Sequence, residues 1–231
     1  MTLPAQPIVT LRAVGREYAG GITALRNVDL VIRRGDLVAI VGPSGSGKTT
    51  MLNIMGTLDR PTCGQVVIDG LDVAELADRE LSALRARRIG FVFQQFHLAP
   101  GVSVLDNVAD GLLYAGVRRR ERRERAEAAL RLVGLGDRLT HRPKALSGGE
   151  RQRTAIARAV VGKPVLLLAD EPTGALDSRS GEGVVRLLLD LNKIGTTIVV
   201  ITHEHVVASQ LPRQVAMLDG RVVDDRTAVA P

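Results

Sequence analysis

Leu37-Val38-Ala39-Ile40-Val41-Gly42-Pro43-Ser44-Gly45-Ser46-Gly47-Lys48-Thr49-Thr50 is the stretch on which the reading of the fold turns. Its first five residues are a continuous apolar run, as expected of a strand covered on both faces. The nine that follow fit G-x-x-x-x-G-K-[ST] and lead into a helical pattern, Met51 to Leu58. Strand, glycine-rich loop and helix in that order make a phosphate cradle, because glycines let successive amides and the positive end of the helix converge on anionic oxygens. Every residue from Gly42 to Thr50 then lines the ligand, with Lys48 on the β- and γ-phosphates of a nucleotide and the Thr49 hydroxyl on magnesium. At average residue usage a chain of this length would show the pattern by accident on the order of once in a hundred. The strand before it and the helix after it lower that chance.

Working outward, Ile89 to Phe93, Val165 to Ala169 and Thr197 to Ile201 are further near-continuous apolar runs, which predicts a mainly parallel α/β core. Ile8 to Val14 and Val28 to Ile32 alternate instead, and Gln65 to Ile68 does so before the turn Asp69-Gly70, which predicts an N-terminal antiparallel β subdomain. From Phe96 to about Arg158 the pattern is helical, with Gly134 and Gly136 closing an Arg-rich helix and Pro143 preceding another. The expected class is α/β, one domain over 1–231. A P-loop core and β subdomain take about 1–95 and 159–231, and an inserted helical subdomain takes about 96–158.

Composition narrows the partners. Lys and Arg exceed Asp and Glu by 31 to 25, a net +6, and much of the excess sits in Arg118 to Arg125. There Glu121 to Arg125 and Glu127 to Arg131 are i,i+4 pairs, while Ala126, Ala129, Leu130 and Val133 share one face, so the stretch reads as a solvated amphipathic helix. Aromatics make up only 2% of the chain and Trp is absent, which argues against base stacking, and no nucleic-acid partner is expected. No apolar run approaches the roughly 18 residues that span a bilayer. The opening Met1-Thr2-Leu3-Pro4-Ala5-Gln6-Pro7 lacks a basic region followed by an apolar segment, so no signal peptide is read. The single Cys63 excludes an internal disulfide and fits a reducing compartment.

Val165-Leu166-Leu167-Leu168-Ala169-Asp170-Glu171 places two carboxylates at the end of a buried strand, where an open α/β sheet gathers its ligands. Behind a phosphate cradle, Asp170 suits magnesium, and Glu171 suits the orientation or deprotonation of an attacking water. A guanine-specific N-K-x-D is missing. Asn192-Lys193-Ile194-Gly195 lacks the aspartate and reads as a helix end stopped by Gly195. ATP is therefore the expected nucleotide, with Mg2+. Leu146-Ser147-Gly148-Gly149-Glu150-Arg151-Gln152 opens an apolar-periodic helix and supplies a second helix N-terminus for phosphate.

With LSGGE upstream of VLLLADEP, the chain resembles the ABC ATPases over nearly its whole length. The resemblance implies ATP hydrolysis in a head-to-tail homodimer in which Ser147, Gly148 and Gly149 contact the nucleotide of a second copy. It implies that Gln94 senses magnesium and γ-phosphate and links to a partner, with Gln95 the competing candidate. It also implies that His203 contacts the γ-phosphate and the catalytic carboxylate, with His205 the competitor. Asp177 in Gly174-Ala175-Leu176-Asp177 would lie across the dimer interface, and Tyr18 would stack on adenine. Met51 to Gly56, Leu58 to Thr62, Gly90 to Phe96 and Pro172-Thr173-Gly174-Ala175-Leu176-Asp177-Ser178 resemble the macrolide-exporter and lipoprotein-releasing group. That group implies a four-span permease as partner and a place on the cytoplasmic face of the membrane. His97, Ala99 and Glu204 depart from its pattern. Export, mechanical signalling to a cell-envelope enzyme without cargo, and a soluble role on ribosomes or DNA remain the alternatives.

Overall fold

The computed structural model describes residues 6–227, so most of the N-terminal stretch read for a signal peptide lies outside the described residues. β1 (Pro7–Tyr18) and β2 (Ile22–Arg33) form a long antiparallel hairpin, and β4 (Cys63–Ile68) pairs with the other edge of β1. The short β5 (Leu71–Asp72) completes a sheet of order β2-β1-β4-β5. The turn between β4 and β5 is Asp69-Gly70, both with positive φ (50° and 82°), the geometry that Asp-Gly hairpins supply at little steric cost. This is the predicted antiparallel region, with strands longer than expected because register shifts along β1 break the strict alternation.

The second sheet has the order β10-β9-β3-β8-β7-β6. β3 (Leu37–Val41), β6 (Ile89–Val92), β7 (Leu166–Asp170), β8 (Thr197–Ile201) and β9 (Arg213–Leu218) are parallel, and β10 (Arg221–Thr227) returns antiparallel at the edge. The apolar runs are continuous because both faces are covered. Leu37, Ala39, Leu167, Ala169, Ile198 and Val200 point into one buried cluster; Val38, Ile40, Leu166, Leu168, Val199 and Ile201 point into the other. The second cluster is closed by the antiparallel sheet and by α1 (Lys48–Met55).

The first cluster is closed by helices: α3 (Val104–Ala109), α4 (Arg119–Leu132), α5 (Gly148–Val160), α6 (Ser178–Lys193) and the short α7 (His205–Ala208). α4 buries Ala126, Ala129 and Leu130 and carries the expected Glu121–Arg125 and Glu127–Arg131 pairs on its solvent side. α5 is continuous through residue 158, the expected end of the helical subdomain, and its face carries core residues of the same cluster as the sheet. α2 (Asp78–Arg88), between the sheets, buries only Leu81 and Leu84. The segment from Phe96 to Val102, expected to be helical, is irregular. It is held by side chains: Asn107 donates to the carbonyls of Ala99 and Val102 and accepts from the Ala99 amide. Among the described residues, no helix is long and apolar enough to cross a membrane.

Candidate functional site

Four neighbouring parallel strands, β3, β8, β7 and β6, deliver the candidate residues at their C-terminal ends. The loop Gly42–Gly47 follows β3, His203 follows β8, Asp170 and Glu171 end β7, and Gln94 follows β6. The crevice outside the carboxyl ends of a parallel sheet is where such folds bind ligands.

The loop after β3 is pressed onto backbone on both sides. A Cβ on Gly42 (φ 154°) would lie 2.3 Å from the Met217 carbonyl oxygen, and one on Gly47 (φ 97°) would lie 2.4 Å from that of Ala24. No other residue type fits these two positions. Gly47 in this conformation starts α1 at Lys48, earlier than the predicted Met51, so Lys48, Thr49 and Thr50 belong to the first helical turn. The Lys48 Nζ donates to the carbonyls of Gly42 (2.7 Å) and Pro43 (2.8 Å), leaving its third proton for another acceptor. Burial pushes the Lys48 amine below its ordinary pKa, against the opposing pull of Glu171 and Asp170. Ser46 is buried, and its Oγ has no hydrogen-bond partner. Pro43, Ser44, Gly45 and Thr49 are exposed.

Burial, helped by the neighbouring Glu171 and opposed by Lys48, holds the Asp170 carboxyl above the usual carboxylate range. Glu171 has φ 45°, a conformation costing of order 1–3 kcal/mol for a residue with a side chain. Its amide donates to the Ile201 carbonyl (2.9 Å). One carboxylate oxygen, Oε1, accepts from the His203 amide (3.1 Å) and from His203 Nδ1 (2.7 Å), which orients the imidazole. The other, Oε2, is buried without a partner. The bond to Glu171, and then its charge, raise the His203 pKa above the ordinary histidine value. Of the two histidine candidates it is His203 that meets Glu171; His205 opens α7 on the exposed side. Gln94 lies against the loop after Glu171: a Cβ on Gly174 would be 3.0 Å from Gln94 Nε2 and 3.6 Å from Glu171 Cβ. Gln95 is exposed.

The Tyr18 hydroxyl donates to Asp59 Oδ2 (2.8 Å), while the Arg16 guanidinium sits 4.5 Å from the ring centroid and pairs with Asp59 Oδ1 (2.8 Å). One face of the ring is thereby covered by a cation held in place by a carboxylate. Asp59 stands in the string Leu58 to Thr62 that carried part of the resemblance, but without a role, and nothing in the spacing along the chain links it to Arg16 or Tyr18.

Ser147 caps α5 through a reciprocal box: its Oγ accepts from the Glu150 amide (3.2 Å), and Glu150 Oε2 accepts from the Ser147 amide (2.8 Å). Asp177 caps α6, accepting from the amide (2.9 Å) and hydroxyl (2.8 Å) of Ser180. These two caps pack on each other. A Cβ on Gly149 would lie 3.1 Å from Ser180 Cβ, and one on Gly148 would lie 3.3 Å from Leu176 Cδ2. Among the described residues no hydrogen bond or ion pair links Ser147, Gly148, Gly149 or Asp177 to Gly42–Thr50. The candidate residues therefore form two groups, one around the loop after β3 and one around the caps of α5 and α6.

The profile of the ABC transporter family matches residues 25–174, which include the loop after β3, the cap of α5 and the paired carboxylates. The chain belongs to the ABC transporter family. This ABC ATPase binds ATP and hydrolyses it to ADP and phosphate. It is 49% identical over 228 residues to the macrolide export ATP-binding/permease protein MacB 1/2 of Paracoccus denitrificans, covering 97% of this chain and 34% of that protein. It is 49% identical over 219 residues to the uncharacterized ABC transporter ATP-binding protein YknY of Bacillus subtilis, covering 94% and 95% of the two chains. The chain thus spans about a third of the MacB relatives and nearly all of YknY. Among solved structures, the dimeric post-hydrolysis state of the ATP-binding cassette MJ0796 bound to ADP and Pi superposes with a TM-score of 0.86 at 44% identity, covering 96% of this chain and all of that one.

Proposed function

We propose that this ABC ATPase is the motor of an export or mechanotransmission machine, working as an ATP-sandwich homodimer beneath an integral-membrane permease of the four-span kind, on the cytoplasmic face. The observation that carries the reading is the separation of the two groups of candidate residues. One chain holds a phosphate cradle with its carboxylates, and keeps the cap of α5 apart from it with exposed Ser147. A second copy arranged head to tail would bring its Ser147, Gly148 and Gly149 to the far side of the nucleotide, with Asp177 beside them. The dimeric MJ0796 cassette and the permease fused in the MacB relatives support the same assembly.

The residues present fit a nucleoside triphosphate with magnesium. Ser46 Oγ and Glu171 Oε2 are buried without partners, and such groups are rare unless something else satisfies them. Lys48 retains a proton to donate, and the loop amides lie at the start of α1. Thr49, Asp170 and Gln94 would hold magnesium, which would neutralise phosphate charge there. Tyr18 stacks on adenine with the face that Arg16 leaves free. Glu171 uses Oε2 to take a proton from the attacking water while His203 anchors Oε1. Once the γ-phosphate is cleaved, the contacts that Lys48 and the α5 cap of the partner copy make to it are lost, and with them the preference for the closed dimer.

Glu171→Gln retains ATP and accumulates the closed dimer. Scattering-detected chromatography with and without ATP reads this directly, and a monomer under both conditions would remove the sandwich.

A further inference from the structure

Five residues beyond its cap, α5 carries the last side chain of the string Leu146 to Gln152, to which no role has been assigned. Gln152 is fully buried, its Nε2 donates to the Pro172 carbonyl at 2.8 Å, and its Oε1 is buried without a partner. The acceptor is a carbonyl, so the amide must present its nitrogen, and the orientation of the side chain is settled by chemistry. Pro172 is itself buried and directly follows Glu171. Together with the close approaches of Gly148 to Leu176 and Gly149 to Ser180, this bond fastens the first turns of α5 to the whole segment from Pro172 to Ser180. The catalytic carboxylate is then positioned from two sides. β8 and His203 hold it through Ile201 and Oε1, and α5 holds the next residue through Gln152.

We propose that Gln152 is a positioning residue that couples the two nucleotide sites of the sandwich. It ties the helix whose cap grips the partner copy's nucleotide to the loop that carries this copy's own Glu171. The inference rests on the head-to-tail dimer proposed above. In that dimer the occupancy of one site acts on the cap of α5 in the other subunit. α5 and residues 172–180 move as one packed body, and Glu171 is brought into or out of register in that subunit's own site. A buried hydrogen bond with no solvent around it transmits such a displacement because there is no competing partner to which either end can relax.

Mixed dimers test this. One subunit reports hydrolysis and keeps Lys48 and Glu171. The other carries either Glu171→Gln, which keeps its nucleotide, or Lys48→Ala, which does not. With Gln152 present in the reporting subunit, its rate is about tenfold higher beside the filled partner than beside the empty one. With Gln152→Met in the reporting subunit the two rates agree within about twofold, while its melting temperature and single-site ATP affinity stay near wild type. Gln152→Glu is the second variant. A carboxyl at this buried position stays protonated to higher pH and can still donate to the Pro172 carbonyl, so coupling persists at acidic pH and fades as the group ionises, which a merely structural role would not produce. A reporting subunit with Gln152→Met whose rate still changes about tenfold with its partner's occupancy overturns the coupling alone. If Glu171→Gln stays monomeric in ATP, the sandwich and the coupling fall together.

Discussion

At the scale of single residues, the site concentrates its unfavourable terms on the two carboxylates. Glu171 is held at positive φ by the Ile201 carbonyl and His203. One of its oxygens is engaged and the other left for water, a division that suits a general base. Glu171→Gln should slow hydrolysis by roughly 10² to 10⁴, measured as phosphate release. The same substitution reports on His203. The bond to Glu171 and its charge raise the imidazole pKa, so the linked stabilisation is complete below the ordinary histidine value and disappears as pH rises through the raised one. In Glu171→Gln the His203 midpoint, followed by NMR of the ring protons, should fall towards the ordinary value. A midpoint that does not move would remove the pairing. Asp170 has the opposite economy, because burial raises its pKa and folding therefore works against its charged form. Asp170→Asn should therefore raise the melting temperature of the nucleotide-free protein by about 1–3 °C while abolishing magnesium-dependent turnover. Calorimetry at pH 7 checks it, and a lower melting temperature would show that the carboxylate contributes to folding rather than opposing it.

At the scale of elements, α5 collects contacts from three parts of the molecule. Its cap joins α6, Gln152 joins the loop after β7, and Arg158 near its other end donates to the carbonyls of His97 (2.7 Å) and Phe96 (3.0 Å). The bonds donated by the Ser147 amide and by Arg138 hold the Glu150 carboxyl of the capping box below its ordinary value of 4.5, the amide contributing most. A depressed carboxylate adds stability that is present above the unfolded pKa and is lost as pH falls through the folded one. Glu150→Gln should thus melt about 2 °C below wild type at pH 7, and the two should converge well below pH 4.5, where both are neutral. A difference that stays constant across that range would assign the effect to packing instead. Elements with a strong pattern were legible from the chain alone: β3, β7 and β8 as unbroken apolar runs, α4 by its stripe and its Glu–Arg pairs, and the α6 end at Gly195. β9 and β10 were not. Arg213–Leu218 alternates weakly, and Arg221–Thr227 is an edge strand with exposed and half-buried residues throughout, so neither has a core face strong enough to mark it. α2 escaped notice for a related reason, since a charged helix burying two leucines has almost no stripe. The candidate site was legible wherever chemistry demands a rare residue pattern in one contiguous string. Gln152, Arg158, Arg16 and Asp59 act across 20 to 62 positions of separation or through a single carboxylate, and a linear pattern cannot hold such pairs.

At the scale of the whole molecule, the proposed sandwich makes the sheet end that carries the phosphate loop, Asp170, Glu171, His203 and Gln94 one half of a site and the caps of α5 and α6 the other half. The positive excess of the chain does not compete with this assignment, because the arginines of α4 at positions 120, 125 and 131 are each paired within their own helix. If catalysis needs two copies, hydrolysis must obey mass action in the protein as well as in ATP. At saturating ATP and low protein concentration the total rate should rise with about the square of the protein concentration, and the rate per chain should level off once dimers dominate. The slope of log rate against log concentration then falls from about two to one across the range where sizing detects the dimer. Once dimers dominate, replacing half of the chains by Ser147→Ala at constant total concentration should lower the rate per chain, because each mixed dimer keeps one whole site and has one weakened one. A slope of one at every concentration, with no effect of the replacement, would mean that a single copy completes its own site, and the spatial separation of the two groups of residues would then need a conformational change within one chain to close it.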